Sequence, residues 1–319
     1  EQMGVPEPPM LVMTSGNIHD EPIVTDDVEA RGKLGGIACA VLGNDRAILS
    51  RYDDSVVRII SAGSAGSAVQ MIRRARGFAP VPLKLARTSA NPEAAAVPKD
   101  AAAPEAIGAA CHEDSPETAG PDAAAVAPVL FAAGSEQKST FAFVRGSEAF
   151  VSQHVGDLEN AEAFDAWLDA KSRFEKLFEL RATRLTCDAH PEYLASKWAR
   201  EQARKLDIPL VEVQHHHAHI ASVIGENGLS GAVCGIAFDG TGFGADDSIW
   251  GGEVLLANAQ AYERFANFAY VPMPGGAACV KNPLRMAYGV LWEFDLLEHP
   301  AAKRVLGALG EQAELCDQM

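Results

Sequence analysis

Four of the chain's nine histidines fall within five positions, His215, His216, His217 and His219, in the stretch VQHHHAHIAS. An apolar segment, IPLVEVQ, leads into them, and AHIASVIGENG behind them reads as a helix closing at Gly228. In a helix, His215 and His219 share a face about one turn, roughly 6 Å, apart. Two imidazoles at that spacing can hold one divalent cation, with a third ligand, a carboxylate by preference, arriving from elsewhere. The plainer alternative has one or two rings hydrogen-bonded inside the fold and the rest facing water. A lone histidine would favour that reading, whereas four at a strand-to-helix junction favour the metal.

The second chemically suggestive stretch, FDGTGFGADDSIWGGE, runs from Phe238 to Glu253. Asp239 closes an apolar strand and stands where it could approach a metal, and Asp246, Asp247 and Glu253 add further acid. Gly240, Gly242 and Gly244 permit positive φ and close backbone approach, and the N–H groups of such a turn can line an anion site for phosphate. The bland reading is a glycine-rich β-hairpin. No Walker lysine is present, and the glycines do not open a helix as a dinucleotide fingerprint does.

The elements that must position these residues belong to an α/β chain. Residues 1–86 read as a compact α/β piece. In it MLVMTSGN is a buried strand entering a turn, DEPIVTDDVEARGKL a loop and short helix, and AILSRYDDSVVRII a strand, turn and strand. Residues 87–128 are rich in Ala, Pro, Asp and Glu and poor in large apolar groups, the composition of a flexible tether. From 129 to 319 the chain reads as globular again. PVLFAAG, TFAFVRG and EAFVSQHVG are three strands. A helix then carries Phe164, Trp167, Leu168, Phe174, Leu177 and Phe178 as its core stripe. HPEYLASKWAREQARKL is a second helix, IPLVEVQ a strand, and AVCGIAFDGTGFG an apolar strand ending in glycines. That order predicts a mixed α/β domain with helices packed against a sheet.

Composition narrows the function classes. A chain of 319 residues, 48% hydrophobic and 22% charged, is globular material for about two domains. Its net charge of −16 argues against a general nucleic-acid binder. No apolar run approaches the roughly 20 residues that cross a bilayer, and no export signal opens the chain, so neither a membrane nor a nucleic-acid partner is expected and the compartment is read as cytoplasmic. The six cysteines, Cys39, Cys111, Cys187, Cys234, Cys279 and Cys316, form no CxxC pair and read as reduced packing residues.

HPEYLASKWA, VQHHHAHIAS, FDGTGFGADDSIWGGE and MPGGAACVKNPLRMA, in this order, resemble the hydrogenase-maturation carbamoyltransferase family HypF. Upstream, VMTSGNIHDEPIVTD, SRYDDSVVR, RRARGFAPVPL, GSEQKSTFAFVRG and AFVSQHVGDLEN fit the same family. The resemblance implies that residues 1–86 are the C-terminal part of a YrdC-like domain that makes carbamoyl-adenylate. Ser15 and Asn17 would bind nucleotide there, and Arg51, Asp53, Asp54 and Ser55 would belong to the same site. Residues 129–319 would be the first part of a Kae1-like domain of the actin and Hsp70 type. His215 and His219 match its metal pair, while Asp239, Gly240, Thr241, Gly242 and Gly244 match its loop at the metal and the nucleotide phosphates. The implied reaction takes carbamoyl phosphate and ATP, with a divalent metal (Fe, Zn or Mg), and carbamoylates the C-terminal cysteine thiolate of HypE for cyanide ligand synthesis.

Against the family pattern the chain carries Asn44 where a histidine is expected. It also has no acylphosphatase domain, no CxxC zinc fingers, no first half of the YrdC-like domain and no distal NDGG segment. It therefore reads as a piece of a longer enzyme, inactive alone because both sites are cut. The rival readings are a threonylcarbamoyladenosine-type tRNA enzyme and a scaffold that binds HypE without catalysis. Both module types on one chain, and QHHHAH itself, favour the carbamoyltransferase.

Overall fold

A computed structural model of the chain describes residues 14–18, 21–61, 66–85 and 127–318. The strand expected over MLVM and nearly all of the Ala/Pro-rich stretch lie outside these residues. Two compact units divide at Ala266/Asn267.

The first unit begins with helix α1 (Asp27–Leu34), whose start is fixed by Asp26 accepting from the N–H groups of Val28 and Glu29. An antiparallel hairpin of β1 (Val56–Ser61) and β2 (Ser67–Arg73) follows. The short β3 (Leu83–Lys84) then joins the edge of a six-stranded sheet. The other strands of that sheet are β4 (Val129–Ala132), β5 (Ala142–Arg145), β6 (Glu148–Val151), β7 (Arg184–Asp188) and β8 (Leu210–Val213), in the order β3-β6-β5-β4-β7-β8. The β3 to β4 pairings are antiparallel and those of β4, β7 and β8 parallel. Parallel pairing requires crossovers, supplied by α2 (Ala161–Phe178) before β7 and α3 (Leu194–Leu206) before β8.

The core lies between these helices and the sheet. Phe131, Phe141, Phe143 and Trp167 are essentially fully buried, and Trp167 stands edge-on to Phe131 at 5.9 Å and to Trp198 at 5.1 Å. Of the expected stripe, Trp167 and Phe174 are buried and Phe164, Leu168 and Phe178 pack against the cluster. Leu177 does not: it is 64% exposed. Alanines 163, 166 and 170 hold the sheet-facing line instead, because small side chains let the helix approach closely. Helix α3 starts at Leu194, not at His190, and puts Ala195, Ala199 and Ala203 into the core. Strand β7, which the sequence reading left out, is the one that ends at Asp188.

Helix α4 (His215–Asn227) follows β8 directly and packs on a second sheet of three strands, order β13-β12-β9. These are β9 (Val233–Ala237), β12 (Glu253–Ala257) and β13 (Tyr262–Asn267). Ile220 and Ile224 of α4 bury against Leu255 and Ala257, and Ile220 lies over Gly235 where a Cβ would overlap it. Between β9 and β12 the chain makes a tight hairpin, β10 (Gly242–Phe243) with β11 (Ile249–Trp250). On the β12 sheet, fully buried Glu253 takes Arg264 in two bonds of 2.6 and 2.8 Å.

The second unit is helical: α5 (Ala278–Lys281), α6 (Pro283–Glu293), α7 (Ala302–Leu309) and α8 (Gln312–Asp317). Its small core gathers Tyr288, Leu309 and Cys316. Tyr288 donates to Asp317 at 2.9 Å, and burial above all pushes its phenol up to about 12. Among the described residues, no helix is long and apolar enough to cross a membrane.

Candidate metal centre

Three chain segments converge at the N-terminus of α4. Gln214, the residue before the helix, is extended (φ −64°, ψ 137°) and caps it by accepting the His217 N–H at 2.9 Å. The cap starts the helix at His215, so His215 and His219 stand one turn apart with their Nε2 atoms 3.2 Å from each other. Asp239 reaches the same point from just beyond β9. Its Oδ2 lies 3.4 Å from His215 Nε2, 3.1 Å from His216 Nε2 and 3.8 Å from His219 Nε2. One ligand atom each from His215, His219 and Asp239 falls within 4.8 Å of the other two.

Surrounding residues hold these groups. Asp188, at the end of β7 and 7% exposed, binds His215 Nδ1 through Oδ2 at 2.7 Å. A carboxylate oxygen accepts, so the His215 proton sits on Nδ1 and neutral His215 turns a lone pair toward Asp239 and His219. The same bond raises the His215 pKa above the ordinary imidazole value, against the opposing pull of burial. Burial holds His216 below that value, and it lowers His190 likewise. His217 is spoken for elsewhere: its Nε2 donates to the Asn258 carbonyl at 2.8 Å. Asp239 Oδ2 and His216 Nε2 are both buried and make no hydrogen bond, because their close approach is out of line. A buried carboxylate oxygen with no partner is costly. Two imidazole nitrogens and a carboxylate oxygen are a donor set for a borderline divalent cation, so the residues present fit the metal that the resemblance implies.

The glycine loop is the hairpin of the plainer alternative, and its glycines serve differently from expectation. None of Gly240, Gly242 and Gly244 has a positive φ. What they provide is close approach: a Cβ at Gly242 would overlap the His216 ring, and one at Gly244 would overlap the Trp250 indole. Gly240 passes its carbonyl against Gly251. Thr241 is exposed. Asp246 is taken by Ser248 and by Trp250 Nε1, the latter at 2.7 Å, and Glu253 by Arg264, rather than by the histidines.

The candidates of residues 15–55 are engaged by other groups of the chain, Ser15 and Asn17 locally and the rest over longer separations. Ser15 Oγ donates to Asn17 Oδ1 at 2.5 Å, and Asn17 Nδ2 donates to the carbonyls of Ile18 and Glu21. Arg51 Nε donates to the Ile23 carbonyl, and Ser55 Oγ to the Arg76 carbonyl. Asp53 binds His154 at 3.0 Å, and the exposed Asp54 lies 3.7 Å from Arg76. Of the cysteines described, Cys187, Cys279 and Cys316 are buried, and burial pushes Cys187 up to about 11, so it stays a thiol.

Sequence reasoning missed Asp188 and Gln214. Asp188 is hidden because RLTCD is short and half polar, and the one signal that could have found it is the Asp and Pro of DAHP bounding the run. Gln214 was read only as the end of IPLVEVQ.

The four clustered histidines and Asp239 fall within two stretches that match Kae1-like family models. Residues 125–226 match the family described as HypF Kae1-like domain, and residues 235–319 the one described as Carbamoyltransferase, Kae1-like Domain, second subdomain. The chain belongs to the HypF carbamoyltransferase family. It is 39% identical over 286 residues to carbamoyltransferase HypF2 of Cupriavidus necator, which covers 90% of this chain and 30% of that protein. To carbamoyltransferase HypF of Rhizobium leguminosarum bv. viciae it is 34% identical, covering 88% of this chain and 31% of that protein. A crystal structure of full-length HypF in the phosphate- and nucleotide-bound form superposes with a TM-score of 0.70 at 34% identity, covering 96% of this chain and 41% of that one. The structure of T. kodakarensis HypF gives 0.68 at 33% identity, covering 88% of this chain and 31% of that one. The chain thus spans about a third of the length of the two curated relatives.

Proposed function

We propose that this chain carries the cation site of a carbamoyltransferase that acts on carbamoyl phosphate, with ATP as co-substrate, and delivers the carbamoyl group to the C-terminal cysteine thiolate of HypE. The observation that carries this reading is the convergence of His215, His219 and Asp239 within 4.8 Å. His215 and His219 would hold the metal through Nε2 and Asp239 through Oδ2. When bound, the metal would supply Lewis-acid stabilisation of charge on a phosphoryl oxygen. Asp188 keeps the His215 lone pair aimed into the site, and the helix N-terminus adds its partial positive charge beside any anion there. Ser15 and Asn17 are proposed to meet nucleotide in the YrdC-like part.

The test is metal content by elemental analysis of the purified protein, with His215→Ala and His219→Ala beside the unaltered chain. Both substitutions should lower bound divalent metal severalfold. Carbamoyl-phosphate-dependent ATP–pyrophosphate exchange should be present in a protein that also carries the segments found in the longer relatives. Unchanged metal in both variants overturns the site, and absent exchange overturns the reaction.

A further inference from the structure

The middle histidine of the cluster has no role in that scheme, yet it is the most enclosed of the four, at 0% exposure. Its ring is held on several sides. Gly242 lies against Cε1 and Nδ1, and Trp250 is near-parallel to it at 6.4 Å. Gln214 Nε2 stands 3.0 Å from its Nδ1.

That last contact decides where the proton is. The Gln214 amide has a single consistent orientation. Its Oε1 accepts the His217 N–H at 2.9 Å, and its Nε2 donates to the Phe243 carbonyl at 3.2 Å. Turned over, it would set oxygen against oxygen at Phe243 and N–H against N–H at His217. The second hydrogen on Nε2 therefore points at His216 Nδ1, which has to accept. Neutral His216 then carries its proton on Nε2, the buried atom left without a hydrogen-bond partner beside Asp239. Asp188 dictates the opposite arrangement on His215, with the proton on Nδ1 and the lone pair on Nε2. Neighbouring residues of one helical turn thus present opposite faces beside Asp239 Oδ2, a lone pair from His215 and an N–H from His216.

A lone pair suits a cation. A fixed N–H beside it suits an anionic oxygen, and its burial strengthens that bond. We propose that His216 is not a cation ligand but a hydrogen-bond donor, through Nε2–H, to a phosphoryl oxygen bound next to the cation. The cation part rests on the function proposed above, whereas the tautomer does not.

The experiment uses the full chain with histidines labelled in nitrogen-15. Long-range proton–nitrogen correlation reads which ring nitrogen bears hydrogen, the His216 signals being assigned by their loss in His216→Phe. Protonation at Nε2 is expected in the unaltered chain. In Gln214→Glu, whose carboxylate oxygen would face Nδ1, the proton should move to Nδ1. A proton on Nδ1 in the unaltered chain overturns the proposal without reference to any variant's folding. In the second arm, His216→Phe should keep its bound metal within about twofold while affinity for inorganic phosphate falls on the order of tenfold, the loss of one hydrogen bond to a charged group. Metal lost from His216→Phe as completely as from His219→Ala would make His216 a ligand and overturn the proposal. Unchanged phosphate affinity overturns it as well. Metal retained in both His215→Ala and His219→Ala is a different result, one that refutes the cation site and leaves tautomer and phosphate affinity to decide on His216.

Discussion

Replacing Asp188 by asparagine tests the electrostatic logic of the site with almost no change of shape. Asp188 accepts the His190 N–H on Oδ1 at 2.8 Å and faces His215 Nδ1 with Oδ2 at 2.7 Å. Asparagine keeps the first bond if its oxygen stays on His190, which sets the amide nitrogen opposite His215. That nitrogen donates, so His215 Nδ1 has to accept and its proton moves to Nε2, the atom 3.2 Å from His219 and 3.4 Å from Asp239. The lone pair that would receive the cation is then occupied. Loss of such an orienting contact weakens metal binding about 10- to 100-fold, which is roughly 1.4 to 2.7 kcal/mol at about 1.36 kcal/mol per decade. The assay is metal retention during dialysis against graded chelator at constant pH, with circular dichroism to establish that the variant is folded. Asp188→Asn holding metal as tightly as the unaltered chain, while His219→Ala releases it, would refute the argument that Asp188 sets the His215 tautomer.

Other consequences follow from the same contacts. Gly242→Ala puts a methyl into the His216 ring with no φ penalty. It should cost about 1–3 kcal/mol by denaturant unfolding and shift the His216 resonances, and a variant as stable as the parent would show that the ring yields freely. Arg264→Met strands the buried Glu253 carboxylate, for which Gly251 N–H at 3.1 Å is a partial substitute. A loss of about 3–5 kcal/mol is expected for a broken buried pair, and under about 1 kcal/mol the pair is dispensable. The His154 hydrogen bond, above all, holds Asp53 below the usual carboxylate range. Its contribution to stability is therefore complete above the unfolded value of about 3.9 and disappears as pH falls through the lower folded value. The stability difference between the parent and Asp53→Asn should narrow as pH drops below about 4, and a gap constant across that range would contradict the assignment.

Much of the fold could be read from the chain because its signals are local. Short apolar runs between tight turns marked β4, β5 and β6, and the 3.6-residue period marked α2 and α3. Where the reading failed, the deciding partner was remote in sequence. Leu177 sits in the apolar stripe by periodicity, but the sheet meets α2 along its alanines. RLTCD is short and half polar, and it is a strand because β4 and β8 flank it on both sides. Gly242 reads as a turn glycine, and its smallness is required by a histidine 26 residues earlier in the chain.

By itself the sequence determined the kinds of donor and one spacing. Four residues along a helix is one turn, so His215 and His219 had to share a face once Gln214 began the helix. Only tertiary structure could bring Asp239 from another sheet to the same point, set Asp188 behind one ring and Gln214 behind the next, and so assign a lone pair to one histidine and a proton to its neighbour. Covalent order controls neighbours within a turn, whereas hydrogen-bond direction in a buried site depends on which groups the packed layers leave facing each other.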